Sequence, residues 1–164
     1  MSTGQTFVTI CAMSLLLTLL LGIYQGFNSS GNVLLRSKCG IAAISISTSI
    51  IEEAQNKYFD KSTYDSAITK LSTLATPANL GPEAGDVYPK FDYFDEFNNF
   101  KDTLFFQLPD SFYVNCKVCY VDPSNLNVAA STQTWHKKIT VNVTSPHLKD
   151  TVKAEYVFSY FYFR

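Results

Sequence analysis

Hydrophobic positions along this chain fall into three regimes, and each predicts a different element. Across residues 7–23 the chain is apolar apart from Thr9, Ser14, Thr18 and Gly22, and no residue is charged. A helix buried in a soluble domain would carry a polar stripe, and this run has none. At roughly 1.5 Å per residue, residues 7–27 make a helix about 31 Å long, enough to span the hydrocarbon core of a bilayer. A cleaved secretory signal would carry a basic start and a small-x-small cleavage site. Residues 1–6 contain no Lys or Arg, and Gly22-Ile-Tyr-Gln-Gly26 is a poor site. The helix is therefore expected to be retained.

In residues 33–59 the pattern changes. Val33, Leu34, Ile41, Ile44, Ile51, Ala54 and Tyr58 recur three or four residues apart, with Ser37, Lys38, Ser45, Glu52, Gln55 and Asn56 mainly elsewhere. This predicts an amphipathic helix with those apolar residues along its packed face. Between the two regimes lie Gly22, Gly26, Asn28, Ser29, Ser30, Gly31 and Asn32. Each helix-interior Gly costs about 1 kcal/mol, so this stretch is expected to be a weak point that unwinds in the assembled state, with an unbroken helix as the alternative. A break at Asp60 and a short helix ending near Leu74 should follow.

The third regime is β-like. Pro77, Gly81, Pro82, Gly85 and Pro89 mark a loop, followed by an acidic aromatic stretch over residues 91–100. Alternating β-branched and aromatic residues predict strands at 112–121, 133–144 and 155–163. Asp122-Pro123-Ser124-Asn125 and Ser145-Pro146 supply turns. In the last strand Tyr156, Phe158, Tyr160 and Tyr162 face one way, and Glu155, Val157, Ser159, Phe161 and Phe163 the other. Bulky apolar groups on both faces predict a central strand buried on both sides. One face would lie on residues 44–58 and the other under loop 76–90 or a neighbouring subunit. The expected fold class is α+β: a long N-terminal helix, apolar then amphipathic, packed on an antiparallel β-meander head. Residues 1–32 form the apolar half-helix with its Gly-rich weak point. Residues 33–164 form the head, with the amphipathic helix at 33–59, a loop region at 75–110 and the sheet at 111–164.

Charge sharpens this division. All 27 charged residues lie beyond Leu35. Residues 52–110 hold eleven acidic and five basic side chains, whereas residues 111–164 hold three acidic and six basic. Two such parts can attract each other within one molecule or between copies, or can be solvated faces. The net charge of −1 excludes a general grip on nucleic acid, which needs a basic face. Aromatic residues at 15% exclude disorder.

Candidate chemistry is sparse. Cys116 and Cys119 form a C-x-x-C pair, but in a strand rather than at the helix N-terminus that stabilises a redox thiolate. A disulfide involving them and packing as reduced thiols both remain open. His136 and His147 show no compact zinc-ligand spacing with them. His136 reads as a surface or cross-strand residue, with no nucleophile arranged beside it. Asp86, Asp92, Asp95, Glu96 and Asp102 are oxygen ligands of the kind calcium uses, without the spacing of a calcium loop. No catalytic constellation, metal site or cofactor site is expected. Asn28 and Asn142 head Asn-x-Ser/Thr sequons. Ser66, Thr103 and Thr151 lie in Asp-Ser/Thr-apolar tripeptides that resemble a bacterial O-glycosylation acceptor.

The layout of the whole chain resembles type IV pilins and the pseudopilins of type II secretion. The shared features are a two-regime N-terminal helix, a variable loop and an antiparallel meander. The Gly-rich residues 22–31 are similar to the segment that melts in those helices on assembly. The chain departs from the family pattern at its start: Gln5 follows Gly4, no basic residue precedes it, and Thr9 stands where the family has Glu. The resemblance implies an extracellular, homo-oligomeric helical filament, reached by way of the inner membrane, with β heads outside a core of helices. Phe7, Ile10, Leu17, Leu20, Leu21 and Phe27 are the candidate core residues. The alternative is a single-pass envelope protein whose head is a binding module.

Overall fold

Leu-rich sequence with no proline drives one helix, α1, over Thr3–Gln55 of the computed structural model, which describes residues 3–105 and 111–160. The hydroxyl groups inside its apolar part are satisfied within the helix itself. Thr9 Oγ1 donates to Thr6 O (2.8 Å), Ser14 Oγ to Cys11 O (2.8 Å) and Thr18 Oγ1 to Leu15 O (2.9 Å). Such back-bonding lets polar residues sit in an apolar helix without an unpaired donor.

In the single chain the helix passes through residues 22–32 without a break. The reason is cooperativity. An extended helix loses only a fraction of its ladder at each isolated Gly, while a break would need a new nucleus on its far side. The helix ends four residues earlier than Phe59. Tyr58 N–H donates to Asp92 O (3.1 Å) and Phe94 N–H to Tyr58 O (2.8 Å), so the backbone leaves the helix to pair with a later segment.

The short helix expected to end near Leu74 is instead two 3-10 turns, Lys61–Thr63 and Leu71–Thr73. Asp60 explains this. Its carboxylate accepts from Ser62 N (3.1 Å) and also from Ala75 N (3.1 Å), gathering both ends of the segment onto one side chain. Further 3-10 turns follow at Pro77–Asn79 and Phe94–Phe97.

Among the described residues five antiparallel strands follow: β1 (Lys101–Phe105), β2 (Ser111–Asp122), β3 (Asn125–Ala129), β4 (His136–Thr144) and β5 (Val152–Ser159). The main order is β1-β2-β4-β5, with β3 paired to β2. The fold is α+β. β1 lies inside the expected loop region and β3 just past the expected turn; neither was anticipated. β2 alternates from Phe112 to Tyr120, burying Phe112, Val114, Cys116, Val118 and Tyr120, and then also buries Val121. Opposite them β4 buries Val143, Val141, Ile139 and Lys137.

β5 is an edge strand, not the central strand expected. Its own charges make this tolerable, because Lys153 and Glu155 form an exposed ion pair (2.7 Å) of the kind that protects sheet edges. Phe158 is buried between Phe94 (5.1 Å) and Phe59 (5.7 Å), while Tyr156, Val157 and Tyr160 are half-buried. Phe161, Tyr162 and Phe163 lie outside the described residues.

The chain divides into two compact units, Met1–Lys38 and Cys39–Arg164. In the second, α1 buries Cys39, Ala43, Ile46, Ser47, Ile50, Ile51 and Ala54. This is not the face expected. Of the seven residues assigned to the packed stripe only Ile51 and Ala54 are buried; Val33, Leu34, Ile41, Ile44 and Tyr58 are exposed. The buried row is the one richer in small residues, which admits a helix backbone close to its neighbours.

Candidate functional site

Two features of this chain call for a function, one on the surface and one in the core. On the surface, every described residue from position 3 to position 34 is exposed. The six candidate core residues are all among them, from Phe7 (68%) to Phe27 (76%). At helical spacing Ile10, Leu17 and Leu21 fall on one line, and Leu20 and Phe27 on the next. Removing a large apolar side chain from water is worth about 1.5–3 kcal/mol. Six such residues together are therefore worth about 9–18 kcal/mol, as much as the whole stability of an ordinary domain. This segment is long and apolar enough to cross a membrane. In the second unit, Ile41 (70%) and Ile44 (57%) are also exposed, on the side of the helix away from Cys39, Ala43 and Ile50.

In the core, Lys137 takes a position that the alternation of β4 gives to an apolar side chain, and it is fully buried. Its Nζ donates to Phe59 O (2.7 Å), Asp60 Oδ2 (2.9 Å) and Asp95 Oδ1 (3.2 Å). The Phe59 ring lies 4.7 Å away and the Tyr120 ring 5.4 Å away, completing its shell with aromatic faces. One cation thus faces two buried carboxylates, and they respond differently. Burial pushes Asp95 above the usual carboxylate range, outweighing the pull of Lys137, and the neighbouring Asp60 adds to the rise. Asp60 is also buried, but Lys137 and the two hydrogen bonds from Ser62 bring it below that range. Beside the pair is a cleft of about 460 Å³ lined by Asp60, Thr73, Asn79, Tyr93, Asp95 and Glu96. This cluster was not anticipated. The legible signal was a Lys in register with Ile139, Val141 and Val143.

The other candidates are scattered. Cys116 and Cys119 are free thiols, which removes the disulfide between them. Three residues apart on β2, they point to opposite faces of the sheet. Burial pushes the Cys116 thiol up to about 12. His136 is a half-buried cross-strand residue whose Nδ1 shares a hydrogen bond with Ser159 Oγ (2.7 Å). Of the acidic loop, Asp95 turns inward to Lys137, and Glu96 accepts from the backbone N–H groups of Asp92 (2.6 Å) and Tyr93 (3.0 Å). Asn28 and Ser66 are exposed. Asn142, Thr103 and Thr151 come together along one groove of the sheet.

No protein-family model, characterised protein or solved structure matches the chain, so its function is read from its own residues.

Proposed function

We propose that this protein is a structural subunit of an extracellular filament similar to a type IV pilus, with N-terminal helices packed in the core and β heads outside. The observation that carries this reading is the extent of exposed apolar surface on α1. Residues 7–27 match the thickness of a bilayer at about 31 Å. The exposure does not stop there: Val33 and Leu34 in the first unit, and Ile41 and Ile44 in the second, are also uncovered. A membrane anchor accounts for residues 7–27 alone. A bundle of copies covers those residues after they leave the membrane, and the later ones as well. The acidic and basic parts of the head supply complementary charge between neighbours.

Two substitutions separate this reading from a plain membrane anchor. Leu17→Lys places an unpaired charge in the apolar segment and should abolish filaments and weaken membrane insertion together. Ile41→Lys lies beyond the span, so it should reduce filament yield while leaving insertion unchanged. Equal filament yield from Ile41→Lys and the parent would favour the single-pass binding module instead.

A further inference from the structure

We propose that Lys137 and Asp95 join as an intramolecular amide, with Asp60 as the proton acceptor, giving the head a covalent tie between β4 and the 3-10 turn at Phe94–Phe97. Lys137 Nζ stands 3.2 Å from Asp95 Oδ1 and 2.9 Å from Asp60 Oδ2, with Phe59 O at 2.7 Å fixing it in place. The lysine side chain is fully buried, and those of the two acids are 3% and 10% exposed. An amine and a carboxyl group held within hydrogen-bond reach can react as parts of one molecule, which supplies part of the activation that a free amine and acid would need. The rings of Phe59 and Tyr120 shield the nitrogen.

The ionic arrangement itself is unfavourable. Two buried carboxylates on one ammonium leave an excess negative charge where solvation is poor. Forming the amide removes the charge of Lys137 and the carboxyl of Asp95 together. The two acids are already divided for the task, since burial holds Asp95 towards its neutral, electrophilic form and Asp60 stays ionised. Divergence of two neighbouring carboxyls into acid and base is the pattern that such chemistry uses.

The step balances without any other reactant. Asp60 takes one proton from the Lys137 ammonium, and the freed lone pair attacks Cγ of the protonated Asp95 carboxyl. Asp60 returns that proton to the departing hydroxyl and takes a second from the nitrogen. The C–O bond breaks, the C–N bond remains, and water leaves. The cleft lined by Asp60 and Asp95 is its way out. Asp60 is left protonated until solvent takes the proton. Nothing is oxidised or reduced.

Tryptic digestion of the denatured full-length protein, read by mass spectrometry, tests this. Trypsin should release residues 91–101, which carry Asp95, joined to residues 118–138, because the acylated Lys137 is no longer cleaved. The joined pair should weigh one water, about 18 Da, less than its two parts. Separate fragments 91–101 and 118–137 would overturn the proposal, whatever the stability of any variant. Asp60→Asn should return the separate fragments; a joined pair from that variant would overturn the role given to Asp60.

Discussion

Replacing Lys137 by Met would remove the amide proposed for it and leave Asp60 and Asp95 as buried acids without the cation they face. Removing one partner from a buried charge cluster typically costs about 3–5 kcal/mol, so chemical denaturation of the variant should show a loss of that size. A loss below about 1 kcal/mol would mean that the site relaxes into water. Phe158→Ala should cost a similar 3–5 kcal/mol for a buried aromatic ring, since Phe158 packs on Phe59 and Phe94. An unchanged melting temperature would contradict that packing. At this scale the sequence was partly legible. The period of β4 through Ile139, Val141 and Val143 puts Lys137 on the buried face, a signal from which the buried lysine was not anticipated. Its partners were hidden, because Asp60 and Asp95 lie 77 and 42 residues away in segments with no periodicity.

Among the elements, the long helix and the central strands were legible because their periods are sustained over many residues. The misses share a cause. β1 and β3 are five residues each, too short for a period to emerge, and they exist because β2 offers them a partner. The Gly-rich stretch stays helical in the single chain, since three glycines spaced four and five apart do not outweigh a cooperative ladder. Space around these glycines is open, with nothing within 4 Å of a Cβ added at Gly22, Gly26 or Gly31. Gly26→Ala should therefore stabilise α1 by roughly 0.5–1 kcal/mol, with no loss of assembly. Thermal melting followed by circular dichroism, with filament yield alongside, measures both. Loss of filaments in Gly26→Ala would mean either that the bare glycine surface is an intersubunit contact or that the segment must unwind on assembly. The helical face was misread because residues 39–51 carry apolar side chains all round, so spacing alone did not say which row the sheet would take.

For the whole molecule, the two units obey opposite rules. Residues 39–164 bury a core of Phe, Ile, Val and Tyr side chains, whereas the described residues up to position 34 bury nothing. A chain cut at residue 30 should accordingly behave as a soluble monomer in sedimentation, and sedimentation as large particles would show that the head itself carries an assembly surface. Electron cryomicroscopy of material sheared from cells making the full chain tests the central claim most directly. The account predicts filaments whose axial density is a bundle of α1 helices, with regular backbone bonding through residues 22–32 and β heads on the outside. Cells that make the protein and carry it in their membranes without filaments, or filaments built from head-to-head contacts with the helices outside the core, would contradict it.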